Sequence, residues 1–179
     1  AASPVRLLFL DVDGVLNSEA SREGGDHMPA ADLMRNLSQV VDATGVQIVL
    51  SSTWRLEGPS KRAIELALGR QGLSVLSSTA DLTSFGDRVD EILGWMADHT
   101  EYDVSAWIAV DDMDLVRMNP KLDSAHFVKT CDSVGLSSEK VEEAVGKLTA
   151  QEERTAHRAP GHAHHSGSET HSHRRRLRH

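Results

Sequence analysis

Residues 5–14 read VRLLFLDVDG, an almost unbroken apolar run that ends in two acidic residues and a glycine. A run of this length and composition predicts a buried strand over residues 5–12. The carboxylates of Asp11 and Asp13 then lie at the carboxyl end of that strand. This stretch sets the expectations for the rest of the chain.

Strand and helix patterns alternate through the first 150 residues. Further strands are predicted at 46–50, 73–76, 104–110 and 126–130, and helices after Pro29, from Pro59 to Gly72, over 86–99 and from Ser137. Such alternation predicts a doubly wound, three-layer, Rossmann-like α/β fold, with a parallel sheet, helices on both faces and right-handed crossovers. Only about 15 residues separate Gly14 from the next helix, which is too few for a large cap domain.

The composition changes near residue 150. Residues 1–150 carry 13 Lys and Arg against 24 Asp and Glu, whereas residues 151–179 carry six Arg, three Glu and seven of the ten histidines. We therefore expect one folded domain over 1–150 and a disordered His/Arg-rich tail over 151–179. The acidic domain excludes a broad surface that coats nucleic acid, because such a surface needs an excess of Lys and Arg.

The apolar runs and the cysteine content also limit what kind of protein this is. No apolar run reaches the roughly 18 residues that a membrane helix needs, which excludes a membrane-spanning chain. The one cysteine, Cys131, excludes an intramolecular disulfide, and we expect it to be a small buried side chain. So little cysteine favours an intracellular compartment, cytoplasmic or, if a transit segment has been removed, organellar.

Acidic and hydroxyl side chains follow three of the predicted strands. In strand order they are Asp11 and Asp13, Ser51 and Ser52, and Asp111 and Asp112. Because ligands bind at the carboxyl ends of parallel strands, we expect these groups to meet at one edge of the sheet. Converging carboxylates repel one another, and a hard divalent cation, above all Mg²⁺, is the usual compensation. A carboxylate beside Mg²⁺ can attack phosphorus while a second acid protonates the leaving oxygen.

The stretches FLDVDGVLN, IVLSSTWR and WIAVDD resemble the first, second and fourth motifs of the haloacid dehalogenase (HAD) superfamily. Together with DRVDEILGW, they are most similar to the small HAD domain of Swiss Army Knife RNA repair proteins. Across residues 5–149, the resemblance implies a Mg²⁺-dependent phosphatase that forms an aspartyl-phosphate on Asp11, with Asp13 as general acid and base. It also implies a metal site made of Asp11, Asp111, Asp112 and the backbone carbonyl of Asp13.

Phosphate ligands are harder to assign from the resemblance. Ser51 is implied to hold the phosphoryl group, with Ser52 as the alternative. The family pattern has a Lys or Arg at the start of the helix before the fourth strand. This sequence departs from that pattern, and only Arg88 fits the place. The alternative is that Arg88 is a solvated residue on the helix surface. Arg55 is a second candidate phosphate ligand. Trp54 is expected either to pack against the neighbouring helix or to stack on a base.

Short loops around the site predict an open site, which suits a nucleic-acid end or another bulky phosphomonoester unless a partner chain covers it. Two other classes of function stay open. One is a non-catalytic HAD-fold binding or structural subunit of a larger assembly. The other is a receiver-like phospho-acceptor domain, which is disfavoured because no acid follows the third predicted strand until Asp81.

Overall fold

A five-stranded parallel sheet in the order β3-β2-β1-β4-β5 forms the centre of the computed structural model, which describes residues 3–158. The strands are β1 (Val5–Leu10), β2 (Gln47–Leu50), β3 (Val75–Ser78), β4 (Val104–Asp111) and β5 (Phe127–Lys129). The helices are α1 (Ala31–Thr44), α2 (Gly58–Arg70), α3 (Arg88–Asp98), α4 (Leu115–Met118) and α5 (Ser138–Arg158). This arrangement confirms the predicted doubly wound α/β fold.

The side chains of the central strand β1 alternate between two cores. Leu8 and Leu10 pack with α1, α2 and α5 on one face of the sheet. Leu7 and Phe9 pack with α3 and α4 on the other. All four side chains are fully buried, since successive residues of a strand point to opposite faces and helices cover both. This burial on both faces explains why the sequence of β1 is continuously apolar.

Two strands differ from their predictions by two residues, and the other three by one residue at one or both ends. Strand β1 ends at Leu10 instead of residue 12, because the carbonyl of Val12 already closes a tight turn. Strand β3 lies two residues after the predicted 73–76, because the backbone N–H of Leu73 donates to the carbonyl of Leu68 and so completes the end of α2. The apolar residue that follows Gly72 therefore belongs to the helix end and not to the sheet.

Helix α5 crosses residue 150 without interruption. Beyond that point Gln151 is buried, and its side chain bonds both the N–H and the carbonyl of Trp107 in β4. The rest of the predicted tail, from residue 159, lies outside the described residues, so the division of the chain remains a prediction. Within residues 3–158, no helix is both long enough and apolar enough to cross a membrane.

The strand order determines where a ligand-binding crevice lies in this sheet. The chain runs outward from β1 through β2 to β3, then returns to lay β4 against the other edge of β1. Such a reversal opens a crevice at the carboxyl ends of the two strands between which it occurs. Asp11 follows β1 and Asp111 ends β4, so both border this crevice. Within the described residues, the loops that flank it (11–30 and 79–87) contain no cap domain.

Candidate active site

Three carboxylates converge at the crevice. One oxygen each from Asp11, Asp111 and Asp112 lies within 4.8 Å of the others. Asp11 is 6% exposed and Asp111 only 1% exposed. Asp112 approaches the turn after β1 so closely that a Cβ on Gly14 would lie 2.5 Å from its Oδ2. The absence of a side chain at Gly14 therefore makes room for the third carboxylate.

This clustering changes the acidity of the two buried groups. Burial raises the pKa of Asp11 above its usual value, although the guanidinium of Arg88 opposes the shift. Burial and the neighbouring carboxylate of Asp11 raise the pKa of Asp111 to about 7. Three hard oxygen donors that repel one another fit a divalent cation such as Mg²⁺, because a cation among them offsets the repulsion.

Arg88 lies inside the site. Helix α3 begins at this residue because the side chain of Asp87 accepts hydrogen bonds from the N–H groups of Val89 and Asp90 and forms a capping box with Asp90. The Nη1 atom of Arg88 is 2.7 Å from Oδ2 of Asp111 and 3.4 Å from Oδ1 of Asp11. Its side chain is only 10% exposed. The guanidinium thus faces the nucleophile candidate and not the solvent.

The two serines after β2 are both buried, but they have different partners. The N–H of Ser51 continues the sheet by donating to the carbonyl of Leu10. The hydroxyl of Ser52 accepts a hydrogen bond from the N–H of Trp54 and lies near enough to Asp11 to lower the pKa of that carboxyl. Of the two alternatives left open by the sequence, Ser52 is therefore the one whose hydroxyl acts on the carboxyl of Asp11.

The guanidinium of Arg55 is engaged within the protein, which argues against its predicted role as a phosphate ligand. All five N–H groups of its guanidinium are occupied within the protein. They donate to the carbonyls of Ser51, Ser52, Thr79 and Ala80 and to the carboxylate of Glu91. The side chain is 3% exposed. Arg55 therefore ties the ends of β2 and β3 together and has no donor left for a phosphate.

Asp13 is held apart from the carboxylate cluster. Its Oδ1 accepts a hydrogen bond of 2.8 Å from Nδ2 of Asn17, and its Oδ2 accepts one of 3.0 Å from Nε1 of Trp54. The side chain of Asp13 is thus outside the group of three carboxylates, and its backbone carbonyl as a metal ligand remains a prediction. Trp54 also packs against the core beside α1 and α2. Asn17 had no predicted role, although it is the last residue of the quoted stretch FLDVDGVLN, and the bond of Trp54 was not predicted either, because that contact joins residues far apart in the chain.

Asp114 and Cys131 lie outside the group of three carboxylates. Asp114, which follows the acidic pair, caps the short helix α4 by accepting a hydrogen bond from the N–H of Arg117. Cys131 is exposed, so the expectation of a buried thiol is wrong. The chain at Cys131 leaves the sheet and makes an isolated bridge with Gly135, which keeps this residue outside the two cores.

Replacing Gly14 by Ala is expected to destabilise the protein by about 1–3 kcal/mol, because it adds a left-handed backbone strain to a steric clash. Gly14 has φ +73°, and the new Cβ would displace Asp112. Gly72→Ala is the matched control, since Gly72 has φ +72° but open space around it. Urea unfolding of both variants, with and without Mg²⁺, measures the difference. Equal losses of stability and an unchanged response to Mg²⁺ would show that the contact with Asp112 is unimportant.

The comparisons with known proteins agree with this geometry. Residues 7–141 match the family model described as the HAD domain in Swiss Army Knife RNA repair proteins. No curated protein and no solved structure matches the chain. The matched range contains Asp11, Arg88 and the acidic pair that ends β4, and it covers well over half of the 179 residues. The chain therefore belongs to the family of HAD domains found in Swiss Army Knife RNA repair proteins, a membership that indicates an enzyme of hydrolase type.

Proposed function

We propose that the protein is a Mg²⁺-dependent phosphomonoester hydrolase that works through an aspartyl-phosphate on Asp11. The observation that carries this proposal is the convergence of Asp11 with Asp111 and Asp112, with Arg88 against the first two. Buried carboxylates beside a fixed guanidinium form a site that can hold a cation and a phosphoryl group together.

The residues that would hold Mg²⁺ are Asp11, Asp111 and Asp112, because their oxygens already lie within 4.8 Å of one another. A bound Mg²⁺ would offset the negative charge of the phosphoryl group and of the nucleophile. The remaining chemistry belongs to the side chains of the protein. Arg88 and the hydroxyl of Ser52, which lie beside Asp11, would contact phosphoryl oxygens, as oxyanion donors do in other transfer reactions.

The proposed reaction has two displacements at phosphorus. In the first, a carboxylate oxygen of Asp11 attacks, the bond from phosphorus to the leaving oxygen breaks, and protonated Asp13 gives its proton to that oxygen. In the second, Asp13 takes a proton from water as the water oxygen attacks the same phosphorus. The acyl-phosphate bond then breaks, inorganic phosphate leaves, and Asp11 is again a carboxylate. Asp13 is again protonated, so protons balance over the cycle.

The surroundings of the site favour a bulky substrate. A groove of about 280 Å³ borders Arg88 and is lined in part by Leu56, Met113 and Met118. All three of these apolar side chains are exposed. An open groove of this kind suits a nucleic-acid end or another bulky phosphomonoester, and a partner chain that covers the site would occupy the same side. The acidic domain favours recognition of one phosphoryl group over tracking of a long strand.

The test is phosphate release from a panel that includes oligonucleotides with 5′- and 3′-phosphates, sugar phosphates, nucleotides and phosphopeptides. We expect release from at least one of these substrates in Mg²⁺ and none in EDTA. Release that is equal in EDTA would exclude the metal-dependent mechanism. A folded protein that is inactive on the whole panel and co-purifies in stoichiometric amounts with another chain would favour the alternative of a non-catalytic subunit.

Mg²⁺ is expected to stabilise the fold. At 100 times its dissociation constant, a ligand that binds only the folded state adds about 2.7 kcal/mol to the free energy of unfolding. Between pH 3.8 and about 7 the folded state holds a proton on Asp111 that the unfolded state releases. The metal-free protein therefore loses stability as the pH rises through this range. We expect Mg²⁺ to stabilise the protein more at pH 8 than at pH 5.5.

Thermal unfolding in Mg²⁺ or EDTA at these two pH values measures the effect. Asp112→Asn is the matched variant, because it removes one ligand charge and keeps the shape of the side chain. This variant should lose most of the stabilisation by Mg²⁺. An equal stabilisation of wild type and variant would place the cation elsewhere.

A further inference from the structure

The carboxyl of Asp13 is fixed at both of its oxygens by donors from two different parts of the chain. Trp54 Nε1 donates to Oδ2 at 3.0 Å, and Asn17 Nδ2 donates to Oδ1 at 2.8 Å. Neither donor can accept or supply a proton at neutral pH, because an indole N–H and an amide N–H do not titrate there. They therefore act on the position of the carboxyl and not as proton carriers.

The position of Trp54 is itself firmly set. Trp54 lies in a short 3₁₀ turn (Thr53–Leu56) directly after β2, and its backbone N–H donates to the hydroxyl of Ser52. The guanidinium of Arg55 holds the carbonyls on which this turn begins. The indole ring packs against the core on one side and reaches Asp13 with its N–H. The strand end that supplies Ser52 to Asp11 thus also supplies Trp54 to Asp13.

Asn17 is completely buried, and its amide uses every hydrogen bond that it can form. Its oxygen accepts from the N–H of Gly14 and from Nη1 of Arg22. Its nitrogen donates to Asp13 and to the carbonyl of His27. Two donors on one side and two acceptors on the other fix which end of the amide is oxygen. Asn17 therefore joins Asp13 to the loop that precedes α1.

We propose that Trp54 and Asn17 are positioning residues that hold the carboxyl of Asp13 for proton transfer to the leaving group. This inference rests on the proposed function, in which Asp13 protonates the leaving oxygen. A general acid must lie within hydrogen-bond reach of the atom that it protonates, and a displacement of about 1 Å can cost about 100-fold in rate. With both oxygens held, the carboxyl has one orientation before substrate arrives.

The test uses Trp54→Phe with two substrates that differ in their need for a proton. Glycerol phosphate has a poor leaving group that must be protonated, whereas 4-nitrophenyl phosphate releases a stable anion. We expect the rate constant of the first displacement, measured in a single turnover, to fall by about 10- to 100-fold for glycerol phosphate and by less than about 3-fold for 4-nitrophenyl phosphate, because the second displacement needs Asp13 as base with either substrate. KM should change less than kcat, because Trp54 holds Asp13 and not the phosphoryl group. An equal fall for both substrates would reduce Trp54 to a structural role and overturn the proposal.

Trp95→Phe is the matched control. Its Nε1 also donates a hydrogen bond of 3.0 Å, but to the hydroxyl of Ser77, away from Asp13. Because Trp95 is buried, this variant reports what the loss of a core indole does to the enzyme as a whole. It should affect the two substrates by the same factor. If Trp95→Phe slows the two substrates as unequally as Trp54→Phe does, the effect is not specific to Asp13, and the proposal is overturned.

A second measurement needs no activity. The chain has three tryptophans, and the ¹H–¹⁵N signal of the Trp54 indole is identified by its loss in Trp54→Phe. Asp13→Ala should move this signal and leave that of Trp95 in place. An unmoved Trp54 signal would disprove the contact. If the wild type hydrolyses neither of these two substrates nor any member of the panel, the proposed function fails and the catalytic part of this inference fails with it, while the indole signal still decides the contact.

Discussion

Asp11→Asn is expected to lower phosphate release by at least about 1,000-fold, because an amide cannot form the acyl-phosphate bond on which the mechanism depends. The loss corresponds to about 4 kcal/mol of transition-state stabilisation. Initial rates in saturating Mg²⁺, on the best substrate of the panel, measure it. KM should change less than kcat, since Arg88 and Ser52 remain in place to hold the phosphoryl group.

This loss should not come from unfolding. Burial raises the pKa of Asp11, so its charged form is disfavoured in the folded state. A neutral Asn of the same shape removes that charge and one source of repulsion on Asp111. We therefore expect a melting temperature in EDTA that is equal to or higher than that of the wild type. A variant that stays folded and keeps more than about a tenth of the wild-type rate would exclude Asp11 as the nucleophile.

Arg88→Met is expected to reduce both activity and stability. Without the guanidinium, the buried carboxylates of Asp11 and Asp111 face each other with no cation between them. Removing one partner from a buried ion pair typically costs about 3–5 kcal/mol, whereas an exposed helix position changes stability by only about 0.5 kcal/mol. The rate should fall by about 100- to 1,000-fold, as it does when an oxyanion donor is lost.

Arg88→Lys is the matched variant, because it keeps the charge but replaces the planar guanidinium, whose Nη1 lies against both Asp11 and Asp111, by a compact ammonium. It should recover a large part of the stability and a smaller part of the rate. Urea unfolding in EDTA and initial rates in Mg²⁺ measure the two effects separately. If Arg88→Met unfolds at the wild-type urea concentration and keeps the wild-type rate, then Arg88 takes no part in the site.

Much of the fold could be predicted because its signals are local. The apolar run before Asp11 exists because β1 is buried on both faces, and the order of strands and helices leaves few ways to build a parallel sheet. The sequence could not show that Leu73 belongs to the end of helix α2 and not to a strand. An apolar residue after a helix-ending glycine fits either element until its N–H finds a partner.

The site could be predicted only in part. Asp11 and Asp111 sit at strand ends, which the sequence marks clearly, so their convergence follows from the fold. The partners of Asp13 and Arg55 follow from contacts that no periodicity records: Trp54 reaches Asp13 across 41 positions, and Arg55 reaches Thr79 across 24. An arginine beside a phosphate motif has the same appearance in sequence whether it binds phosphate or backbone carbonyls. Only the count of its occupied donors distinguishes the two.

The central claim is that the phosphoryl group passes through Asp11, and trapping the intermediate tests it most directly. Asp13→Asn lacks the base that activates water, yet 4-nitrophenyl phosphate needs no proton to release its leaving group. This variant should therefore accumulate the acyl-phosphate when mixed with that substrate and Mg²⁺. After an acid quench and proteolysis, mass spectrometry should find one phosphoryl group on Asp11. Turnover of the wild type together with a phosphoryl group on another residue, or with none on the trapped variant, would contradict the account.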